Sequence, residues 1–322
     1  MQLNPHLSAR FAADLGAIWP DLARTEARLA LAVSGGPDSL ALLLLAHAAL
    51  PSRIAAATVD HGLRPESADE ADTVAQICAR LHVPHITLKV QVAAGNIQAE
   101  ARHARYAAMA KWMADAGLAA LATGHHADDQ AETLILRLNR GAGVGGLAGV
   151  RAKGQVLGSK LPLLRPLLGW RRAELAAIVA GAGINAVDDP SNANDRFDRA
   201  RLRKNLALVD WLDVDMLAAS AQHLADADAA LDWAAEREWS ESVSAQGLGL
   251  VYRPVAPRAV ALRVLARIVR EIDGGDARGA AIARLFDALL ARQTSSIGNL
   301  VARPTAAGWS FMKAPKRRGS HS

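Results

Sequence analysis

The stretch SGGPDS, from Ser34 to Ser39, separates a short apolar run, 29–33, from a helical apolar block, 40–50. Two glycines followed by Pro and Asp, where a strand passes into a helix, predict a tight turn whose backbone N–H groups converge on the helix N-terminus. Such a turn binds an anion, and a nucleotide phosphate fits it best. Because no Lys follows the second Gly, it is not the phosphate loop of kinases and GTPases. The alternative is an ordinary capped turn with Pro37 at the first helical position.

Alternating strand and helix patterns surround this turn. Predicted strands cover 28–33, 54–60, 85–90 and 119–123, and predicted helices cover 38–50, 67–82, 97–116 and 127–139. Strands separated by helices of this length form βαβ units, so we predict an α/β fold with a doubly wound parallel sheet of the Rossmann-like type. Ligands bind at the carboxyl ends of such strands.

Three polar clusters fall at predicted strand ends, at 34–39, 60–64 and 124–129. Because the carboxyl ends of parallel strands meet at one edge of the sheet, these clusters are expected to converge. The Gly-rich segment 141–146 is too rich in glycine for regular structure and is predicted to be a mobile loop beside them.

The later part of the chain is predicted to be mostly helical. A short strand pair is expected within 150–168, then a helix over 171–182, a loop turning into a helix over 188–203, and helices over 213–244, 257–272 and 277–292. We expect a helical N-terminal extension, 1–27, a catalytic domain, 28–209, and a mostly helical domain, 210–322, with a disordered basic tail.

The composition limits the class of protein. The 322 residues are 51% hydrophobic, which suits a large core in two or three domains and excludes a wholly disordered chain. No apolar run reaches the roughly 18 residues that span a bilayer, and residues 1–19 show no secretory signal, so a cytoplasmic protein without a membrane partner is expected. Cys78 is the only cysteine, which excludes an intramolecular disulfide, a zinc site built on several cysteines and a Cys-x-x-Cys redox pair.

The positive charge is concentrated in one segment. Residues 151–210 hold eleven Lys and Arg against six Asp and Glu, a balance of +5 that equals the net charge of the whole chain. A basic segment beside a nucleotide site favours a polyanionic partner such as nucleic acid, although a solvated surface would have the same composition. Aromatic residues make up only 4%, which argues against an extended stacking platform for single strands.

The segment GHHADDQAET, 124–133, concentrates ionisable side chains at the start of a predicted helix. Asp129 and Glu132 are three residues apart and share a helix face. Carboxylates crowded in this way repel one another unless a cation lies between them, either Mg²⁺ or a substrate ammonium group. Two alternatives stay open: acids that only offset the helix dipole, and a zinc site of His125, His126 and Asp129, which lacks the usual helical His spacing.

Two further side chains could reach the same cleft. Arg105, on the predicted helix 97–116, can bind a phosphate through two guanidinium nitrogens. His61 follows a strand end, where a nucleotide could contact it, although a lone histidine there also suits a polar loop.

These motifs together resemble a known family. The 34–39 turn resembles the PP-loop of the N-type ATP-pyrophosphatases, which break ATP between its α- and β-phosphates. Over residues 28–205 the ordered series of motifs resembles the tRNA(Ile)-lysidine synthase family; beyond 209 the resemblance is weak. The series is the PP-loop, HGLR at 61–64, Asn96 with Arg105-Tyr106, 124–132, the Gly-rich segment 141–146, and DPSN at 189–192. Other PP-loop enzymes share the first motif but not the ordered series.

The resemblance implies a two-step reaction on the wobble cytidine in the CAU anticodon of an isoleucine tRNA. ATP adenylates the 2-carbonyl oxygen of the cytosine with release of pyrophosphate, and the ε-amine of free L-lysine then displaces AMP to give lysidine. The implied cofactors are ATP, as a substrate, and Mg²⁺. The implied partners are this tRNA and lysine, and a homodimer is left open.

The resemblance also implies roles for particular residues. Asp38 would bind Mg²⁺ and act in catalysis. Asp129 and Glu132 would bind the lysine ammonium, whose pKa of about 10.4 must fall before the amine can attack. Arg105 and His125 would stabilise negative charge at the α-phosphate and the pyrimidine. The implied ATP-binding positions are Ser34, Gly35, Gly36, Pro37, Asp38, Ser39, His61 and Gly124.

One segment departs from the family pattern. The family shows Arg-Asn followed, three residues after the Asn, by Arg, and here Ala200 stands where Asn is expected. Arg199 and Arg203 keep the spacing, so the resemblance implies phosphate or tRNA binding for them. Long family members carry an additional C-terminal tRNA-binding domain. This chain looks like a shorter form in which residues 211–300 help to hold the tRNA.

Three other functions share part of this pattern. A PP-loop enzyme that thiolates a tRNA base generally needs cysteines for a persulfide or an iron–sulfur cluster, and Cys78, in the middle of a predicted helix, is a poor candidate. A glutamine-dependent amidating synthetase would need a second catalytic domain with a nucleophilic Cys. A tRNA-binding protein that has lost catalysis would not require the phosphate loop and the paired acids.

Overall fold

The computed structural model describes residues 3–23, 26–62, 66–90, 97–187, 198–206, 208–275 and 277–314. Four features of the sequence lie outside these ranges: residues 63–64 of the HGLR motif, Asn96, the DPSN motif at 189–192 and the basic tail beyond 314.

Strands and helices alternate through the first half of the chain. The helices are α1 (Pro5–Ile18), α2 (Pro37–Ala49), α3 (Glu66–Arg80), α4 (Ile97–Asp115), α5 (Ala127–Leu138), α6 (Val144–Leu147), α7 (Arg172–Gly181), α8 (Asp198–Leu206), α9 (Val214–Ser242), α10 (Arg258–Asp273) and α11 (Gly279–Leu290). The strands are β1 (Leu29–Ala32), β2 (Ile54–Asp60), β3 (His85–Lys89), β4 (Ala120–Ala122), β5 (Lys153–Gln155), β6 (Pro162–Leu164), β7 (Val243–Gln246), β8 (Gly249–Tyr252), β9 (Ser295–Ile297), β10 (Leu300–Thr305) and β11 (Gly308–Lys313). The predicted strands and helices between 28 and 182 are confirmed to within about two residues at each end.

The first sheet has the doubly wound topology expected from the sequence. Its strand order is β3-β2-β1-β4-β6-β5, and every pairing is parallel except that of β5 with β6. Leu29 of β1 lies opposite Ile54 of β2 on one side and Ala120 of β4 on the other. The chain order therefore reverses between β1 and β4, and a crevice at their carboxyl ends is where such folds bind ligands.

Helix α2 has apolar residues on all its faces over 40–46, and other elements enclose it on several sides. Its residues 39–46 are all buried, and it packs against β1, α1 and α7. Two fully buried tryptophans, Trp19 and Trp170, belong to the same core. The indole Nε1 of Trp170 donates to Oδ2 of Asp14 at 2.8 Å, so its polar atom is satisfied. The helix that follows the PP-loop is therefore held rigidly.

The Gly-rich segment differs from its prediction. Residues 144–147 form α6, a single helical turn, so the expectation of an irregular segment over 141–146 is wrong for 144–146, while 141–143 do lie outside regular structure. Nη1 of Arg137 in α5 donates to the carbonyl oxygens of Gly146 and Gly149, at 2.6 and 3.0 Å. These hydrogen bonds from the end of the preceding helix order a segment whose own sequence favours no regular structure.

By contacts, the chain divides into two units, Met1–Ala225 and Asp226–Ser322, the division falling within α9. The PP-loop sheet belongs to the first unit. A boundary between catalytic and tRNA-binding parts at 209/210 stays a proposal. Within the described residues, no helix has the length and apolar content needed to cross a membrane.

The second unit contains the predicted helices α10 and α11 together with a five-stranded sheet that the sequence analysis did not predict. The sheet is antiparallel, with strand order β7-β8-β11-β10-β9. Its core includes Trp309, which lies edge-on to both Tyr252 and Phe286 at centroid distances of 5.9 and 5.4 Å. The strands are three to six residues long, and β11 alternates the buried Trp309 and Phe311 with less buried residues, a pattern that the sequence analysis did not use.

Candidate active site

The PP-loop forms a tight turn between β1 and α2. Gly35 has a φ of +91°, and a Cβ there would lie 3.1 Å from Val187 and 3.3 Å from Val74. Only glycine fits both the backbone conformation and the space. Oγ of Ser39 accepts from the backbone N–H of Ser34 at 3.1 Å and donates to the carbonyl of Gly36 at 2.9 Å. The loop is thus closed by one of its own side chains.

The start of α2 is arranged to receive an anion. Gly36 is the N-cap residue and makes no side-chain hydrogen bond to the first turn, and Pro37 stands at the first helical position. The N–H groups of a first helical turn have no intrahelical partner, and the helix dipole places positive charge there. These groups are available to a phosphate.

Gly124, after β4, allows the two loops at the switch point to touch. A Cβ at Gly124 would lie only 2.9 Å from the carbonyl oxygen of Asp38 and 3.2 Å from the backbone N of Ser39. Any side chain at this position would therefore collide with the first turn of α2. The predicted convergence of the 34–39 and 124–129 clusters is confirmed.

A buried histidine holds three carboxylates together. Nε2 of His126 lies 3.4 Å from Oδ2 of Asp38 and 3.6 Å from Oδ2 of Asp129, and Nδ1 lies 3.5 Å from Oδ2 of Asp128. Only 1% of the His126 surface is exposed. We call these four residues the His126 cluster.

The charge of His126 follows from this environment. Burial alone would lower the pKa of His126, but the surrounding carboxylates, first among them Asp128, outweigh it and raise the pKa to about 9. The ring is therefore an imidazolium at neutral pH. Burial would raise the pKa of Asp128, yet His126 and the backbone N–H of Arg172 hold it well below its usual range. The cation that the crowded acids require is supplied in part by the protein itself.

His125, the neighbouring residue, has the opposite charge state. Burial lowers the pKa of His125 to about 4, against the raising effect of Asp129. Three nearby guanidinium groups add to the lowering, those of Arg165, Arg199 and Arg102. Nδ1 of His125 lies 2.9 Å from the hydroxyl oxygen of Thr123. His125 is a neutral imidazole at pH 7, able to donate one hydrogen bond or to accept one proton.

The connection from β6 to α7 closes over the start of α5. The backbone N–H of Ala127 donates to the carbonyl of Trp170 at 2.9 Å, and the backbone N–H of Arg172 donates to Oδ2 of Asp128 at 2.8 Å. The guanidinium Nε of Arg171 lies 3.5 Å from the same carboxylate oxygen. The N-termini of two helices are thereby joined through one aspartate.

Glu132 is buried, 2% exposed, and is bound by two arginines. Nη2 of Arg172 donates to Oε1 at 3.0 Å. Arg203 donates from Nε to Oε1 at 2.9 Å and from Nη2 to Oε2 at 3.3 Å. Asp129 and Glu132 do share one face of α5, as predicted, but they face different cations. The predicted lysine-binding role of both residues stays a proposal.

The helix α8 brings the two predicted phosphate-binding arginines against α5. Nη2 of Arg199 lies 3.2 Å from the hydroxyl oxygen of Thr133, and Arg203 reaches Glu132 one turn further along α8. Ala200, where the family pattern has Asn, is buried with 5% of its surface exposed. A small apolar side chain thus fills that position.

The remaining predicted residues lie on the opposite flank of the crevice. His61 follows β2, and burial, together with the nearby charge of Arg105, lowers the pKa of His61. Arg105 is exposed as a residue, but its guanidinium is partly enclosed, and burial lowers the pKa of that group. Among the described residues, no hydrogen bond or ion pair joins Arg105 to the His126 cluster, so substrate would have to bridge the two groups.

Sequence reasoning missed two arginines of the site. Arg172 binds Glu132, and Arg165, 8% exposed, donates from Nη1 to the carbonyl of Arg151 at 2.6 Å and acts on His125. Neither lies in a recognisable motif. The only sequence signal was the excess of basic residues between 151 and 210.

Two relatives match this chain over most of their length. A tRNA(Ile)-lysidine synthase from Novosphingobium aromaticivorans is 47% identical over 314 residues, covering 97% of this chain and 95% of that protein. A tRNA(Ile)-lysidine synthase from Zymomonas mobilis subsp. mobilis is 40% identical over 297 residues, covering 90% of each.

A solved structure and a family model also match this chain. The U34-tRNA thiolase NcsA from Methanococcus maripaludis, solved with its 4Fe–4S cluster, has a TM-score of 0.55 at 15% identity, covering 68% of this chain and 80% of that chain; this likeness shows the fold alone. Residues 7–209 match the family of the PP-loop domain. With a PP-loop closed by its own serine and full-length similarity to lysidine synthases, the chain belongs to the tRNA(Ile)-lysidine synthase family.

Proposed function

We propose that this protein joins free L-lysine to C2 of the wobble cytidine in the CAU anticodon of an isoleucine tRNA, with cleavage of ATP to AMP and pyrophosphate. One observation carries the proposal: the PP-loop and the His126 cluster meet at the switch point of the sheet, in a chain of the lysidine synthase family. A phosphate cradle beside acids and arginines suits a reaction that joins a polyanion to a cationic amine.

The first step would take place over the PP-loop. The 2-oxygen of the cytosine attacks the α-phosphorus of ATP, the bond to the bridging oxygen breaks, and pyrophosphate leaves with that electron pair. The first-turn N–H groups of α2 would hold the departing phosphates. Arg105 would stabilise charge on the α-phosphate, and the neutral ring of His125 would donate a hydrogen bond to the base.

Asp38 is the residue best placed to hold Mg²⁺. Its Oδ1 is buried and has no hydrogen-bond partner among the described residues, while its Oδ2 faces His126. An orphaned carboxylate oxygen beside a phosphate cradle fits Mg²⁺, which binds through one or two carboxylates, substrate phosphates and water. The ion would neutralise the charge of the departing pyrophosphate.

In the second step the ε-amine of lysine attacks C2, the C2–O bond breaks, and AMP leaves. Asp129 and Glu132 would bind the side-chain ammonium before the attack. His126 and Arg172 place positive charge nearby, which disfavours the protonated amine and so lowers its pKa. The proton that the amine loses would pass to solvent, because His125, whose pKa is lowered to about 4, is too weak a base to hold it.

Arg199 and Arg203 would contact tRNA or ATP phosphates, and the segment 210–322 would help to hold the tRNA. Both arginines lie on a short helix within a segment of net positive charge. Contacts to phosphates position a nucleic acid without reading its sequence. Selectivity for the isoleucine tRNA would then come from other contacts.

Thiolation of a tRNA base, the nearest rival, fits the described residues poorly. Cys78 is fully buried in the core, and burial raises the pKa of its thiol to about 11. A thiol in that state is a weak nucleophile and a poor carrier of sulfur.

The proposal is tested by incubating the purified protein with ATP, Mg²⁺, radiolabelled lysine and one of two transcripts, isoleucine tRNA with a CAU anticodon or methionine tRNA. We expect label on the isoleucine transcript alone. Asp38→Asn should abolish the label. Asp115→Asn, which removes an exposed carboxylate that pairs with Lys111 on the same helix, is the matched control and should retain it. Release of pyrophosphate without label would mean that another nucleophile is used.

A further inference from the structure

Both oxygens of Glu132 are paired with guanidinium groups of the protein itself. Its two oxygens accept three hydrogen bonds, one from Arg172 and two from Arg203, at 2.9 to 3.3 Å. One carboxylate and two guanidinium groups leave a net charge of +1 around a residue that is 2% exposed. An ammonium group approaching this site meets the repulsion of this charge and finds both carboxylate oxygens already paired with a guanidinium group.

The two arginines are held differently. Arg172 begins α7, and its backbone N–H is bound to Asp128, so its position is set by the fold. Arg203 projects from α8 with 36% of its side chain exposed. The charges of Asp129 and Asp38 both act on the Arg203 guanidinium. Because Asp38 belongs to the PP-loop, Arg203 is close enough to interact with charged groups bound there. Of the two, Arg203 is the one that can change partner.

A nucleotide triphosphate on the PP-loop would compete for Arg203. A guanidinium binds phosphate through two hydrogen bonds in the same geometry as it binds carboxylate, and a triphosphate carries several charges where Glu132 carries one. If Arg203 turned to the phosphates, Glu132 and Arg172 would remain as a neutral pair with one carboxylate oxygen released. That oxygen is the partner an ammonium group needs.

We infer that Arg203 and the substrate ammonium are alternative partners of Glu132, so that lysine binds tightly only after a nucleotide has drawn Arg203 away. The inference rests on the proposed function in taking lysine as the substrate. It assigns Arg172 as a positioning residue, which keeps the Glu132 side chain in place during the exchange. Lysine would thus enter after ATP, and by linkage bound lysine would tighten nucleotide binding by the same factor.

The test is equilibrium dialysis of radiolabelled lysine against the full-length protein, with and without α,β-methylene-ATP and Mg²⁺. This analogue cannot be cleaved between its α- and β-phosphates. In the unmodified protein we expect lysine affinity to rise with the analogue by roughly 5- to 150-fold, the usual range for coupled sites. In Arg203→Ala and Arg203→Gln, lysine should bind without the analogue almost as tightly as with it.

Two controls separate this exchange from other causes. Arg201→Ala removes a charge from the same helix at an exposed position and should leave the coupling intact. The lysine analogue 6-hydroxynorleucine, with a hydroxyl in place of the ammonium, should bind the unmodified protein equally with and without nucleotide. This second control needs no variant, so it tests the exchange even if changes at Arg203 impair folding.

Equal lysine affinity with and without the analogue, or full coupling in both Arg203 variants, would overturn the inference. Either result could stand beside normal ligation of lysine to tRNA, in which case the proposed function would survive. Absence of ligation under turnover conditions would instead remove the proposed function. The two failures are therefore distinguishable.

Discussion

Nε2 of His126 lies 3.4 Å from Oδ2 of Asp38, so the N-cap of α5 and the first turn of α2 are joined by a cation and an anion. Each residue follows a different strand of the parallel sheet. The contact fixes the separation of the two loops that border the crevice, and a change at either end should affect both.

The charge of His126 predicts a specific dependence of stability on pH. Its folded-state pKa of about 9 exceeds the usual value of about 6.5, so the added stability is complete below about pH 6.5 and is lost as the pH rises through 9. At about 1.36 kcal/mol per pKa unit, the effect is on the order of 3 kcal/mol. Urea unfolding at about pH 6 and pH 9.5 should show this loss, and His126→Gln should lack it. His103→Gln, at an exposed position, should behave like the unmodified protein. An equal loss of stability between the two pH values in the unmodified protein and in both variants would contradict the assignment.

Gly124→Ala should disturb the PP-loop. The added methyl group would lie 2.9 Å from the carbonyl oxygen of Asp38, a backbone atom that can move only with α2. Displacement of reacting groups by about 1 Å can cost roughly 100-fold in rate, so we expect a loss of that order in kcat/KM for ligation. The matched control is Gly181→Ala, where the new methyl group meets nothing within 4 Å. Equal activity of the two variants would show that the loops can separate without penalty.

Cys78→Ala should leave lysine ligation intact. The thiol is buried in the core, and its pKa, raised to about 11, keeps it protonated at neutral pH. Iodoacetamide at about pH 8 should modify Cys78 only after the protein is unfolded, which mass spectrometry would detect. Activity that depends on Cys78 would revive sulfur transfer as the chemistry.

Arg199→Ala should weaken binding of the isoleucine and methionine transcripts by a similar factor, because a phosphate contact carries no sequence information. The slope of log K against log salt should fall by about 0.7 to 0.9 if one phosphate contact is lost. Thr133→Val removes the partner of Arg199, 3.2 Å away, but keeps the charge, and should preserve the slope. Filter-binding titrations over a range of salt would measure both. Unchanged affinity in Arg199→Ala would remove the role carried over from the family.

Glu238→Ala should destabilise the second unit. The buried carboxylate accepts from the Tyr252 hydroxyl at 3.0 Å and from the backbone N–H groups of Val255 and Ala256 at 3.0 and 3.2 Å. Leaving these donors unpaired costs roughly 3 kcal/mol. Glu241→Ala, which breaks an exposed pair with Arg237, should cost less than about 0.5 kcal/mol. Chemical unfolding of both variants would check the difference, and similar losses would contradict it.

Sequence reasoning located the backbone of the site because periodicity and turn chemistry are local. Apolar residues that repeat with the spacing of strands and helices predicted β1 through α5. The glycines of the PP-loop predicted a tight turn, and the backbone conformation of Gly35 in that turn requires glycine. The same approach failed at α6, which is ordered by Arg137, and did not find the short strands of the second unit. In α6 the deciding hydrogen bonds come from a side chain outside the segment, and in the second unit the strands are defined by their pairing with one another.

By itself, the sequence determined the α/β class, the order of its elements, the position of the phosphate loop and the family resemblance, since each is written in neighbouring residues or in their order. Only the tertiary structure decided the charges and partners of the site. It made His126 a cation and His125 neutral, and it placed Arg172 and Arg203 on Glu132. The physical reason is that a pKa and an ion pair depend on burial and on charges brought together from separate helices, which no local pattern specifies.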